Sequence, residues 1–123
     1  SAFILALLRG EKPVIYGDGE KRRDFIYVDD VNDAHLLLMK DDRANNNLYN
    51  IGSGTNNSIN EIYKMTKDLL GVDVEPVHKD NLAAEAQITL ADCSALKNLG
   101  WQPKMSLEEG VKIQLEYIKK HVL

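Results

Sequence analysis

Cysteine occurs once in these 123 residues, at Cys93, so no disulfide can close within the chain. A reducing compartment is the expected setting, with Cys93 half-buried at a helix start rather than acting as a reactive thiol. Long apolar runs are also missing. The stretch from Ala2 to Leu8 is far too short to span a bilayer, and it lacks the basic flank and cleavage signal of a secretory leader. Fifteen basic residues stand against nineteen acidic ones, giving a net charge of −4 with no long basic cluster. That removes the usual electrostatic reason to bind nucleic acid. The three histidines, His35, His78 and His121, are scattered with no companion at ligand spacing, so no metal site is expected. What remains is a cytoplasmic globular piece of at most one domain, with no membrane and no nucleic-acid partner. Hydrophobic and charged contents of 44% and 28% are ordinary for a folded chain and argue against disorder.

The pattern predicts helix, strand, strand, helix, strand, helix, strand, then a loop and two helices. The opening Ser1 to Leu8 run reads as a helix, and Val14 to Tyr16 and Phe25 to Val28 as the first two strands. Asp29 or Asp30 can cap a helix from about Val31 to Met39. Leu48 to Ile51 reads as the next strand, with a polar loop from Asp41 to Asn47 before it. Ser58-x-x-Glu61 and Ser106-x-x-Glu109 are capping boxes, each opening an amphipathic helix, and Gly71 ends the first of these. Val72 to Val77 is a further extended segment, and Asp92 caps a short helix through Leu99. The last helix carries Leu107, Val111, Leu115, Ile118 and Val122 in a stripe, with Glu108–Lys112 and Glu116–Lys120 pairs outside it.

The densest information lies from Gly17 to Val31, in GDGEKRRDFIYVDDV. Gly17-Asp18-Gly19 is a tight turn. Arg22 and Arg23 follow where a loop exposes them, and a guanidinium fork there could grip a phosphate or carboxylate. Spacing alone equally allows an arginine paired with Asp24 at a strand edge.

The run closely resembles the RDFIYVDDV signature of the NAD-dependent epimerase/dehydratase family, extended short-chain dehydrogenases acting on nucleotide-sugars. Among its members the UDP-glucose 4-epimerases are most similar. KPVIYGDG, LYNIGSG, SINEI, LADCSALKNLGW and P-x-x-SLEEG continue the likeness in order. The resemblance implies an α/β fold: the C-terminal, substrate-binding part of an extended Rossmann-type short-chain dehydrogenase, a small sheet with several helices. Residues 1–123 would form one nucleotide-sugar-binding region, whose strand 48–51 completes the sheet of an absent N-terminal dinucleotide-binding half. Family members open with a glycine-rich fingerprint for NAD and carry a Tyr-x-x-x-Lys catalytic pair upstream of the matched region. This chain has no G-x-x-G-x-x-G. It is therefore expected to be an inactive fragment that binds no NAD by itself, contains no catalytic residue, and self-associates through exposed strand edges and helix faces.

For site residues, the resemblance implies that Arg23 reaches the diphosphate of a UDP- or dTDP-sugar. The backbone of Pro13, Val14 and Ile15 and the ring of Tyr16 would lie along the base, and Asp24 would orient Arg23 or the strand end. One departure stands out. Relatives carry Arg-x-Gly-Glu or Arg-x-Gly-Asp before the LAD segment, where this chain has Leu82, Ala83, Ala84 and Glu85. Losing that second phosphate ligand would cost about 1.5–3 kcal/mol, roughly ten- to a hundredfold in affinity. Lys79 or His78 could compensate as a point charge. The same departure favours an alternative, a non-catalytic nucleotide-sugar-binding or regulatory module. Two other patterns are read as structural: Tyr63-x-x-x-Lys67 as a core tyrosine with a neighbouring lysine, and Gly52-Ser53-Gly54-Thr55 as a plain turn rather than a phosphate cradle.

Overall fold

The computed structural model describes residues 1–122. In chain order the elements are α1 (Ala2–Leu8), β1 (Val14–Tyr16), β2 (Arg22–Arg23), α2 (Val28–Lys40), a 3-10 turn (Asp42–Ala44), β3 (Asn57–Ser58), α3 (Ile59–Leu70), β4 (Val77–Lys79), α4 (Ser94–Asn98) and α5 (Leu107–His121). β1 and β4 pair in parallel, with Ile15 opposite His78. β2 and β3 pair antiparallel, with Arg22 opposite Ser58.

Three apolar clusters hold these elements together. Ile4 of α1 packs with Leu115 and Ile118 of α5, and Leu69 and Leu70 of α3 close the group. Leu7, Ile15 and Tyr63 form the second cluster and seat β1 against α1 and α3. Phe3 meets the Tyr63 ring edge-on, with 5.4 Å between centroids. The third joins Ala34 of α2 to Cys93, Leu96 and Trp101 around α4. Both capping boxes form, with Ser58 and Ser106 accepting from the amides of Glu61 and Glu109. Gly71 ends α3 in a left-handed conformation, as expected.

The differences from the sequence reading are local and have physical causes. Residues 25–28 do not form a strand. The strand lies earlier, at Arg22–Arg23, and α2 begins at Val28 with Tyr27 in the capping position. Asp29 and Asp30 therefore sit in the first helical turn, where negative charge suits the helix dipole. Asp30 is buried and its carboxylate is engaged elsewhere: Oδ1 accepts from the Lys104 amide at 2.9 Å and Oδ2 from the Met105 amide at 3.0 Å. Its backbone carbonyl accepts from the Trp101 indole at 3.1 Å. Residues 48–51, expected to complete a sheet outside this chain, have no partner among the described residues, and Asn57–Ser58 forms β3.

Of the expected extended stretch 72–77, only its end pairs, in Val77–Lys79. Cys93, not Asp92, occupies the capping position of α4 and is fully buried, while Asp92 accepts from the Ser94 amide at 3.0 Å. On α5 the Glu108–Lys112 pair forms at 2.6 Å, but Glu116 pairs with Lys119 rather than Lys120. The apolar stripe of that helix is buried at Leu115 and Ile118, and Val122 is exposed.

Asp30 ties the start of α2 to the segment leading into α5, so truncating it strands two amides in a partly dry setting. Asp30→Ala is expected to lower unfolding stability by about 2–4 kcal/mol, measured by urea denaturation. A change under about 0.5 kcal/mol would show that water replaces the carboxylate without loss.

Candidate functional site

The segment 77–91 brings the predicted site residues into one neighbourhood. Its first part pairs with β1 as β4. It then runs alongside β2: the Gln87 carbonyl accepts from the Arg22 amide at 2.9 Å, and the Thr89 amide donates to the Arg22 carbonyl at 3.0 Å. Every residue from 77 to 90 is exposed. One surface strip thus borders both small sheets, with β1 contributing the predicted base-binding residues and β2 the predicted phosphate-binding arginine.

On β1 the expected contacts divide. Pro13 is buried and its carbonyl accepts from the Val77 amide at 2.8 Å, so that acceptor is engaged in strand pairing. Val14 and Ile15 pair with Val77 and His78, and the Ile15 side chain is buried. Tyr16 is the member of this group with an exposed side chain. The turn that follows leads into β2. Gly19 has φ of 79°, and the Asn60 side chain fills the space that a Cβ would need.

The two arginines have different surroundings. Arg22 is committed to structure: Nε donates to Asn56 Oδ1 at 2.8 Å, Nη2 donates to the Asn56 carbonyl at 2.9 Å, and Glu61 lies at 3.3 Å. Arg23 reaches into the strip. Its Nη1 donates to the Arg22 carbonyl and its Nη2 to Glu85 Oε1, both at 2.9 Å. The other oxygen of Glu85 accepts from Lys21, whose side chain is only 4% exposed. Donation from Lys21 first, and then from Arg23, holds the Glu85 carboxyl below its ordinary pKa.

Asp24 does not pair with Arg23; of its two expected roles, orienting Arg23 or the strand end, its contacts are those of the strand end. Oδ1 accepts from the Ser53 amide at 2.7 Å and the Ser53 hydroxyl at 2.6 Å. Oδ2 accepts from the Gly54 and Ala91 amides, each at 3.1 Å. The carboxylate therefore pins the 52–55 turn and the end of the 77–91 strip to the end of β2. Burial alone would raise its pKa, but the donors from Ser53, Ala91 and Gly54 outweigh that and hold it low. Gly52 is required here by close approach, because a Cβ would fall 2.7 Å from Asp24 Oδ2. The Gly52-Ser53-Gly54-Thr55 turn is thus an anchorage for Asp24, consistent with its reading as structural.

The residues missed from sequence were Lys21 and Glu85, whose convergence depends on the path of the strip. The run of positive charge beside Arg23 was the available signal. Of the proposed compensating cations, His78 is engaged through Nδ1 with the Gly17 carbonyl at 2.7 Å, and Leu82 is exposed. Tyr63 is buried and donates its hydroxyl to the Val74 carbonyl. Burial raises its pKa against the pull of Lys67, and Lys67 itself pairs with Asp73 at 2.8 Å. That is a core tyrosine. A separate cavity of about 360 Å³ opens between residues 25–28 and α5, lined by Phe25, Val28, Leu107 and Val111, and neither Arg23 nor Asp24 borders it. No group of three metal-ligating side chains converges among the described residues. No helix among them is long and apolar enough to cross a membrane.

The Asp24 pKa is lower folded than unfolded, so its stabilisation is complete above the ordinary carboxylate range and fades as the pH falls through the folded value. Asp24→Asn keeps one acceptor and loses the others. It is expected to cost about 2 kcal/mol at pH 7, with the difference from the parent shrinking below about pH 4. Urea titrations across pH would measure this, and a deficit that stays constant down to pH 2 would contradict it.

Comparison with known proteins places this arrangement among others. Residues 1–52 match the model of the NAD dependent epimerase/dehydratase family. The crystal structure of UDP-glucose 4-epimerase from Thermotoga maritima, solved with UDP-glucose, superposes with a TM-score of 0.92 at 42% identity, over 98% of this chain and 39% of that one. UDP-glucuronic acid 4-epimerase from Bacillus cereus, in complex with UDP-glucuronic acid and NAD, gives 0.91 at 28% identity, over 98% of this chain and 40% of that one. UDP-glucuronate 4-epimerase of Thermodesulfobacterium geofontis is 35% identical over 115 residues, which are 91% of this chain and 35% of the relative. The chain thus spans between about a third and two fifths of the length of these proteins. Its elements are an α/β portion of the extended Rossmann-type short-chain dehydrogenase fold, and over residues 1–52 its sequence is similar to the NAD dependent epimerase/dehydratase family.

Proposed function

We propose that this chain is the nucleotide-sugar-binding portion of a cytoplasmic NAD-dependent epimerase or dehydratase, with UDP-glucose 4-epimerase as the nearest pattern. The observation that carries this reading is Arg23. It stands in the RDF run at the end of β2, with Nη2 already directed at an anionic group from an exposed segment. Tyr16, exposed at the end of β1 on the same strip, supports a base-stacking role. The similarity to the Thermotoga maritima enzyme solved with UDP-glucose points to the same ligand class.

The described residues do not fit a dinucleotide. They contain no glycine-rich fingerprint, and the one Tyr-x-x-x-Lys match has its hydroxyl bonded to the Val74 carbonyl and its ammonium paired with the exposed carboxylates of Asp73 and Glu75. Hydride transfer is accordingly outside what these residues do, and NAD belongs to another portion of the enzyme in this reading. The chain's own contribution is binding energy and orientation, spent on the nucleotide so that the sugar is presented correctly.

A second reading, a non-catalytic nucleotide-sugar-binding or regulatory module, is favoured by Leu82 alone, since leucine cannot donate to a phosphate. Exposed Leu48 and Met39, together with the unpaired 48–51 segment, further support self-association of the isolated chain. A monodisperse monomer in light scattering would count against that.

Titration calorimetry with UDP and dTDP should give saturable binding that Arg23→Gln weakens about ten- to a hundredfold. The isolated chain should convert no UDP-galactose. An unchanged affinity in Arg23→Gln would defeat the proposed role of the arginine, and measurable turnover would defeat the division of labour.

A further inference from the structure

Lys21 is the least expected charge in the molecule. Its side chain is 4% exposed, and its acceptor among the described residues is Glu85. A buried ammonium needs a counter-anion, because leaving it unpaired in a dry site is strongly unfavourable. Here the counter-anion comes from the most weakly embedded stretch of the chain, since residues 77–90 are all exposed and the Glu85 side chain is itself 36% exposed. The adjoining Ala84 has φ of 60°, a left-handed conformation that alanine resists. A firm cation pair is therefore closed by a soft anion.

The geometry of that closure matters. Lys21 holds Oε2 of Glu85 while Arg23 Nη2 holds Oε1 at 2.9 Å, so two cations bridge the two oxygens of one carboxylate. A diphosphate also presents adjacent anionic oxygens, at higher charge, to donors converging in this way. We propose that Glu85 is a displaceable stand-in for the diphosphate: an arriving nucleoside diphosphate takes its place, and Lys21 becomes the second phosphate cation that Leu82 cannot be. This rests on the proposed role of Arg23 and adds to it a residue, a displacement and an explanation of the leucine. The displacement breaks no covalent bond and transfers no proton. It exchanges one anion for another over a fixed pair of positive charges, and residues 80–86 move aside while Gln87 and Thr89 keep their backbone bonds to Arg22.

The test uses the full 123-residue chain with inorganic pyrophosphate and UDP as probes, followed by calorimetry and by amide NMR of Ala84, Glu85 and Gln87. Wild type should bind both probes, with those amide resonances shifting on saturation. Lys21→Met should weaken both probes about ten- to a hundredfold, and Lys21→Arg should restore most of the loss. Glu85→Gln should tighten binding about three- to tenfold, the scale of removing a half-exposed ion pair that competes with the ligand. It should also show a larger thermal shift with pyrophosphate than wild type. If Arg23→Gln weakens UDP but Lys21→Met and Lys21→Arg leave it unchanged, this inference fails while the proposed function stands. If Arg23→Gln is also without effect, both fail. Weaker binding in Glu85→Gln would make Glu85 a structural brace and overturn the displacement. Should Lys21→Met not fold, Lys21→Arg and Glu85→Gln still decide, and absence of saturable binding in wild type and Glu85→Gln overturns the proposal outright.

Discussion

Four hydrogen bonds on the Asp24 carboxylate hold the site region together. Its two oxygens collect donors from Ser53, Gly54 and Ala91, which belong to segments far apart in sequence. β2 and β3 are only two residues each, too short to fix each other by ladder bonds alone. This carboxylate adds to the backbone bonds between Arg22 and residues 87 and 89, fixing the end of β2 to both the 52–55 turn and the strip beside it. Arg23 immediately precedes Asp24, so the direction of its side chain depends on that anchorage. The resemblance implied that Asp24 orients Arg23 or the strand end. Its carboxylate contacts lie at the strand end, on Ser53, Gly54 and Ala91, while Glu85 engages the guanidinium.

Element order was legible in the sequence, and element position much less so. Helices announced themselves through local chemistry: both capping boxes, the stop at Gly71 and the buried faces of α3 and α5 are written within single turns of chain. Strands depend on partners, and a partner is not a local property. Phe25 to Val28 and Leu48 to Ile51 have the composition of strands, yet neither pairs among the described residues. The strands that do form include Arg22–Arg23 and Asn57–Ser58, polar pairs that propensity would pass over. Their pairing is set by tertiary anchors, chiefly Asp24 and the fork of Arg22 on Asn56. Phe25 to Val28 gave way to Arg22–Arg23 and the 72–77 stretch pairs only from Val77, while 48–51, expected to pair outside this chain, has no partner among the described residues.

The site was legible to a similar degree. The RDF run drew attention to Arg23 and Asp24, but their roles required coordinates, because both contact residues roughly thirty to seventy positions away. Lys21 was invisible for a general reason. A lysine in a charged loop reads as solvated, whereas here its side chain is buried and paired with Glu85 of the strip. The departure at Leu82 was visible as a loss, whereas the compensation we propose, Lys21, lies before β2 and far from it in sequence.

The proposed exchange of an arginine at position 82 for Lys21, just before β2, would have a physical consequence of its own. A guanidinium binds phosphate through a planar fork that fixes orientation, while an ammonium acts as a compact point charge with freely directed donors. A site built from Arg23 and Lys21 would keep the charge while losing one fork, so it would hold a diphosphate firmly but constrain its rotation less. The soft strip over it has the opposite character to the packed helices beneath. α1, α3 and α5 share a buried cluster, whereas residues 77–90 are all exposed. Segments that open for ligands come from the low-stability end of a fold. Here the division between rigid support and yielding cover runs directly between Lys21, which is buried, and Glu85, which is not.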